Sequence, residues 1–401
     1  MILLKPLLFN RLNLDDVYKR GTLISIHIAD LHFGVKQISP KTEYDILDEQ
    51  FFPIIENIYF DILSINGDLF DSKCTSYSED AQYASIFFSR CVRRCKQIGA
   101  TLVVIEGTEK HDAHQLSLFY HYLDDKELDL RIVNQVQFEY IKNARILCIP
   151  EMYNMGEDYY NYFLKDSGLY DAVFMHGMLE GAVYTDKNDL GKNTSKAPVF
   201  NIHDFDNCKG YIASGHIHTP GCFNKRFYYC GSPMRYKHGE ESEKGFFIIL
   251  HNLDTQYHYA HFQPIKSFLY KTLFFDDIIK ERPEVVLQYI NDLMYKENIH
   301  NLRIQFNRVL NPNELDTLVI LKTKLQGNKN INIDYNSTKK TEEQKMNEQI
   351  DSNYKEYSFI FDKNDTYENK FVNYVNKKEG HVFITVEDFK KILEDENWIN
   401  N

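Results

Sequence analysis

The 401-residue chain lacks a CxxC pair, an apolar run long enough to span a membrane and a positive net charge. Its seven cysteines (Cys74, Cys91, Cys95, Cys148, Cys208, Cys222 and Cys230) are odd in number, and several lie inside apolar runs. That usage argues against a disulfide-stapled secreted scaffold and predicts reduced, mostly buried thiols in a cytoplasmic protein, or in the host cytoplasm if the chain is viral. The opening Met1-Ile2-Leu3-Leu4 is apolar only briefly before Lys5, Arg11, Asp15, Asp16, Lys19 and Arg20 interrupt it, so no signal peptide or membrane partner is expected. No internal repeat is visible. A hydrophobic fraction of 43% with 14% aromatic residues predicts a folded chain, and the length suffices for two or three domains.

Residues 1–21 read as an N-terminal extension of unassigned role. From residue 22 to about 260, short β-rich runs alternate with longer helix-like segments. The runs are Leu23–Ile28, Asp61–Ile65, Thr101–Ile105, Arg145–Ile149, Asp171–Met175 and Tyr211–Ala213. The clearest helix covers Ser78–Gln97, with Ser78 as its cap, Tyr83, Ile86, Phe87 and Cys91 on one face, and Gly99 after its end. Such alternation predicts an α/β layered domain. Residues 261–336 read as a smaller α+β unit: strands at Phe268–Phe275, His300–Phe306 and Asn330–Tyr335, helices at Pro283–Tyr295 and Pro312–Leu325. A polar linker follows at 337–356. Apolar positions return over 357–401, which predicts a pair of short helices that docks on something else.

The chemistry lies in an ordered set of Asp and His residues at strand ends, where sites of α/β sheets gather. Residues i and i+2 of a strand share a face, so Asp30 with His32, and His216 with His218, can each reach one metal ion. Asp68, after Gly67, offers two oxygens to bridge two cations about 3.5–4 Å apart. Asp71 fits either an acceptor that orients a ligand imidazole or the cap of the next segment, and the supporting role is the expectation. His176 ends an apolar run where a second ion still needs a nitrogen. His111, outside the ligand set, is the candidate acid for a leaving-group oxygen, and Asp112 is placed to orient its ring. Mixed carboxylate and imidazole donors suit Mn²⁺, Fe²⁺ or Zn²⁺ better than Ca²⁺ or Mg²⁺. The net charge of −12 is mild evidence against nucleic acid. Two bound divalent ions would offset it by about four positive charges where a phosphate sits. The set implies an enzyme that breaks phosphate esters.

The series Asp30-x-His32, Gly67-Asp68-x-x-Asp71, His111-Asp112, His176-Gly177 and Gly215-His216-x-His218 resembles the calcineurin-like metallophosphoesterase superfamily. Within it the chain is most similar to the SbcD-type nucleases, bacterial and phage relatives of the Mre–Rad nuclease subunit. Ile26–Phe33 (IHIADLHF) is similar to that branch's opening strand and loop. Tyr229–Pro233 (YCGSP), followed by Glu240-Glu241 and Glu243–Phe246, is similar to its end-of-domain segment. The resemblance is specific over 22–250 and architectural beyond.

It implies a four-layer sandwich of two β-sheets flanked by helices, a DNA-contacting α+β capping domain and a C-terminal segment that binds a coiled-coil SbcC/Rad-like ATPase. A homodimer is also implied. One metal would be held by Asp30, His32, Asp68 and His218, and a second by Asp68, His176 and His216, with His111 as catalytic acid. Mn²⁺ is the leading metal, with Mg²⁺, Fe²⁺ and Zn²⁺ as alternatives. The family carries Gly-Asn-His-Asp where this chain has Gly107-Thr108-Glu109-Lys110-His111-Asp112, two residues longer and without the Asn ligand. Either Thr108 or Glu109 substitutes, Glu109 being the better ligand as a carboxylate, or the second site is weaker. The implied function is DNA exonuclease and endonuclease activity in repair and recombination. The alternatives are a phosphomonoesterase or cyclic-nucleotide phosphodiesterase, and a catalytically weakened DNA-end-binding subunit.

Overall fold

Parity along the first strand shows how the layers form. In β1 (Thr22–Ile28), Ile24, Ile26 and Ile28 enter one apolar cluster, whereas Leu23 and, just past the strand, Ala29 enter another. The same split recurs in β2 (Ile62–Asn66) and β3 (Thr101–Ile105): Leu63, Ile65, Leu102 and Val104 face one way, Ile62, Val103 and Ile105 the other. Strands buried on both faces read as nearly continuous apolar runs, which explains why these were legible as strands.

The computed structural model describes residues 21–182, 198–297, 299–328, 330–335, 365–379 and 384–395. The expected N-terminal extension (but for Gly21), the linker at 337–356, residues 357–364 and 380–383, and the last six residues lie outside the described residues.

Two six-stranded mixed sheets carry the centre of the fold, and helices flank them. The remaining strands of the first sheet are β4 (Asp129–Val133), β13 (Lys244–Asn252) and β14 (His258–Ile265). Those of the second are β5 (Gln137–Ile141), β6 (Ala144–Ile149), β7 (Tyr170–His176), β10 (Cys208–Gly215), β11 (Gly221–Phe223) and β12 (Phe227–Tyr229). A separate two-residue pair, β8 (Met178–Leu179) and β9 (Val199–Phe200), follows β7. The first sheet runs β14-β13-β1-β2-β3-β4 and the second β11-β12-β10-β7-β6-β5. Each has a parallel core of four strands, β1 to β4 in one and β12, β10, β7 and β6 in the other, with antiparallel strands beyond. Parallel order sends the C-terminal ends of β1, β2, β3, β6, β7 and β10 out to loops, and the candidate site residues lie at or just past these ends.

Between the sheets, Val103, Ile105, Cys148, Phe174 and Ala213 pack with Ile249. A polar string crosses the same layer: Tyr211 Oη lies 2.6 Å from Ser25 Oγ, and His27 Nε2 lies 2.9 Å from Ser25 Oγ and 3.2 Å from Tyr211 Oη. Asn66 Nδ2 donates to the Ala213 carbonyl at 3.1 Å, joining β2 to β10. The helices Pro40–Gln50, Phe52–Asn57 and Glu79–Ile98 cover the outer face of the first sheet.

Ser78 caps the helix Glu79–Ile98 by accepting from the Ala81 amide at 3.2 Å, and Gly99 ends it with φ +67°. Its buried face is rotated from the predicted one. Ala84, Phe87, Phe88, Cys91 and Cys95 are buried, while Ile86 is exposed. The stretch between β3 and β6, expected to be helical, instead holds a 3₁₀ helix at Gln115–Asp124 and the strands β4 and β5. β14 continues through Ile265, past the expected domain boundary at 260. All seven cysteines are free thiols, five of them buried.

After β14 come β15 (Tyr270–Phe274), the helix Pro283–Lys296, β16 (Asn301–Gln305), the helix Pro312–Lys324 and β17 (Ile331–Ile333), the element order the sequence predicts. The three strands form one sheet in the order β15-β16-β17. The helices Tyr367–Glu379 and Val386–Asp395 pack through stacked Phe371 and Phe389 rings, 4.5 Å apart. By compactness the chain divides into two units. The first comprises everything through Leu273 with Tyr289–Arg303 and Asn328–Asn332; the second comprises Phe274–Gln288, Ile304–Gly327 and the remainder. No helix among the described residues is long and apolar enough to cross a membrane.

Candidate metal centre

Backbone conformation sets the donors. Asp30 (φ +52°), His32 (φ +53°), Asp68 (φ +51°) and His216 (φ +86°) all occupy the left-handed region that non-glycine residues avoid. Each costs on the order of 1–3 kcal/mol, and such residues cluster at functional sites. Asp30 and His32 therefore do not share a face by strand alternation, since β1 has already ended at Ile28. The loop after β1 instead runs beside the loop after β2: the Asp30 amide donates to the Gly67 carbonyl at 3.1 Å and the His32 amide to the Asp68 carbonyl at 3.0 Å. The pair His216 and His218 likewise follows β10, which ends at Gly215. Two glycines leave room for ligands. A Cβ on Gly67 would run into the His176 ring, and one on Gly107 into the Asp68 carboxylate.

Two groups of donors converge on Asp68. On one side Asp30, His32 and His218 place one donor atom each within 4.8 Å of one another. On the other, Glu151, His176 and His216 do the same. Asp68 Oδ2 lies 3.7 Å from His32 Nε2 and 3.3 Å from His176 Nε2, so a single carboxylate oxygen faces both groups. Asp30, Asp68 and His176 form a further cluster within the same limit, as do His32, Asp71 and His111.

Hydrogen bonds at the far ring nitrogens fix the imidazoles. His176 Nδ1 donates to the Asn66 carbonyl at 2.8 Å, and His218 Nδ1 donates to Glu240 Oε1 at 3.0 Å. A carbonyl or carboxylate can only accept, so both rings keep an Nε2 lone pair directed at the cluster when neutral. His111 Nδ1 donates to the Asp71 carbonyl, which leaves its Nε2 free on the edge of the site, the ring centroid 4.6 Å from that of His32.

Glu240 is held in turn. Its Oε2 accepts the Tyr236 amide at 3.0 Å and lies 3.3 Å from the buried Lys244 ammonium. The Tyr236 hydroxyl binds the Leu31 carbonyl and lies 3.1 Å from that of Asp30, while Glu43 Oε1 lies 3.5 Å away. Burial raises the Glu43 carboxyl well above its ordinary range.

The electrostatics call for a cation. Asp30, Asp68 and Glu151 are buried carboxylates, and no Lys or Arg lies within ion-pair distance of them among the described residues. Four buried atoms here have no hydrogen-bond partner: Asp30 Oδ2, His32 Nδ1, Glu151 Oε2 and His216 Nδ1. Orphaned acceptors of this kind cost about 1–3 kcal/mol each unless something binds them. Burial works against a proton on His176, yet the charges of Asp68, Asp30 and Glu151 hold its pKa well above the imidazole range. Burial likewise works against charge on Asp68, but His176 and His32 outweigh it and hold that carboxyl low. Carboxylate oxygens and imidazole nitrogens grouped in this way could hold a metal ion.

Several predicted roles move. Asp112 does not touch the His111 ring. Its Oδ2 accepts the amides of Gly107 (2.7 Å) and Asp68 (3.1 Å), and its Oδ1 accepts that of Phe70 (3.1 Å), so it shapes the Asp68 loop. Burial, with the Asp68 charge beside it, pushes Asp112 up to about 7. His111 is oriented by the Asp71 backbone instead, while the Asp71 carboxylate stands 3.6 Å from His32 Nδ1, beyond good hydrogen-bond range. Glu109 is exposed and belongs to none of the donor groups. Thr108 turns inward: its amide reaches Asp68 Oδ1 at 2.6 Å, and its hydroxyl lies 3.2 Å from Asp68 Oδ2 and 3.4 Å from His176 Nε2. Sequence reading gave no role at the site to Glu151, Glu240, Tyr236 or Lys244. Glu151 had a usable signal, because it follows β6 by two residues, as the other donors follow their strands.

No family model matches the chain, and no curated protein matches it. One solved crystal structure aligns with 60% of this chain and 99% of its own, at 10% identity and a TM-score of 0.33, a likeness that defines neither fold family nor function.

Proposed function

We propose that the chain is a dinuclear metal-dependent phosphodiesterase that cleaves DNA ends, the nuclease subunit of an SbcCD/Mre–Rad-like repair complex. The observation that carries the reading is the convergence of two donor groups on Asp68, with a separate imidazole, His111, at their edge. The four-layer sandwich and the DNA-contacting cap belong to this same proposal. Two bound ions, with Mn²⁺ as the first choice, would neutralise the phosphate and bring the pKa of a water from about 15.7 toward neutrality. The chain's own part is positional. Asp30, His32 and His218 would hold one ion, His176 and His216 the other, with Asp68 facing both groups. His111, fixed through Nδ1, presents Nε2 to protonate the departing sugar oxygen.

A nuclease assay on linear duplex, overhanging and hairpin DNA with Mn²⁺ or Mg²⁺, run beside small phosphate esters, tests the assignment. DNA cleavage abolished by chelation is expected. H111A should lose about 10²–10⁴-fold in rate with its metal content unchanged. Full activity in H111A removes it from the mechanism. Preferential hydrolysis of small esters would instead make the chain a phosphomonoesterase or cyclic-nucleotide phosphodiesterase, and metal binding without hydrolysis a DNA-end tether.

A further inference from the structure

We infer that Glu151 is the carboxylate ligand of the second metal ion, filling the corner that the loop 107–112 leaves open. The inference rests on the dinuclear reading above. Glu151 Oε2 lies 2.7 Å from His216 Nδ1 and 3.7 Å from His176 Nε2, and its side chain is fully buried. Glu151 Oε2 and His216 Nδ1 stand at ion-pair distance, yet neither atom has a hydrogen bond of good geometry. Two buried donor atoms so close together, without a well-formed hydrogen bond, are both satisfied by a cation bound to them.

The rest of the residue is committed to holding that oxygen still. Oε1 accepts the Tyr153 hydroxyl at 2.7 Å, and the Glu151 amide donates to the Glu106 carbonyl at 3.3 Å, tying the strand end to the loop after β3. The competing candidates are disposed of by placement. Glu109 points to solvent, and the Thr108 hydroxyl and amide support the Asp68 carboxylate.

With Glu151 in place the two sites become matched. Each has one carboxylate of its own (Asp30 or Glu151) and two imidazoles (His32 and His218, or His176 and His216), and both share Asp68. A neutral amide in the second site would leave it with less negative charge than the first. A carboxylate removes that difference in formal charge.

Metal content per chain, measured by elemental analysis of the full-length protein after equilibration with Mn²⁺ and desalting, decides the matter. Two ions are expected in the wild type, one in E151A and two in E109A. Two ions in E151A would overturn the assignment of Glu151 while leaving the dinuclear reading intact. Fewer than two in the wild type would reject the dinuclear reading and this inference with it. If E151A does not fold, anomalous scattering from Mn²⁺-loaded wild-type crystals supplies the answer. An ion within about 2.2 Å of the Glu151 carboxylate supports the assignment, and one out of coordination range of it overturns the assignment.

Discussion

Individual side chains here matter most through what stands behind them. His218 is the best supported imidazole of the cluster: Nδ1 on Glu240, and Glu240 on the Tyr236 amide and Lys244. Partners of this kind fix the tautomer and ring direction, and their removal typically costs 10–100-fold in metal affinity. E240Q is therefore expected to weaken Mn²⁺ binding by about that factor. Calorimetric titration measures it, and an unchanged affinity would show that Glu240 serves Lys244 alone. Asp112 makes the complementary point. It is a buried carboxylate bonded to three backbone amides, so its part in the site is the shape of the Asp68 loop.

Among the elements, the strand ends were legible and the loop interiors were not. Apolar runs marked β1, β2, β3, β6, β7 and β10 because both faces of those strands are buried, and the Asp and His residues beyond them stood out by their types. The edge strands β5 and β14 escaped notice, being half-buried and less apolar. Glu151 escaped for another reason. A lone glutamate after Pro150 has no neighbouring His to mark it, and its meaning comes from His176 and His216, which only folding brings near. The reliance on strand alternation for Asp30 and His32 failed because left-handed backbone, invisible in a sequence of non-glycine residues, sets their direction.

The C-terminal helix pair, with Val372 and Phe389 buried and Phe371 and Tyr374 partly exposed, is the element we propose for docking on an ATPase partner. Deleting residues 357–401 should abolish co-purification with a coiled-coil ATPase subunit and leave metal content unchanged. Undiminished co-purification would refute that assignment.

For the whole molecule, acid stability is governed partly by histidines buried between the sheets. Burial lowers His27 to about 3, and burial with His258 nearby lowers His251 to about 4. In the unfolded chain both titrate near 6.5. Below that pH the unfolded state binds the extra protons, so stability falls as pH drops from 6.5 toward 3 and is fully present above 6.5. The His27 contribution is on the order of a few kcal/mol. Urea unfolding across pH 4–7 should show a slope in the wild type that is shallower by about one proton in H27Q. Equal slopes in the two proteins would mean that His27 stays neutral for reasons unconnected with folding.

The donors also come from both sheets. Asp30, His32 and Asp68 follow strands of the first; His176 ends a strand of the second, and Glu151, His216 and His218 follow others. His32 and His218, whose Nε2 atoms stand 3.0 Å apart, are separated by 186 positions along the chain. An ion bound between them closes a loop of that length, as a reversible cross-link would, and its free energy of binding becomes free energy of folding. His176 is already tethered across the gap through the Asn66 carbonyl. In the proposed dinuclear enzyme the spacing between two ions would therefore be tied to the spacing between the two sheets. Any force that opens or twists the sheets would be transmitted directly to the distance between the two donor groups.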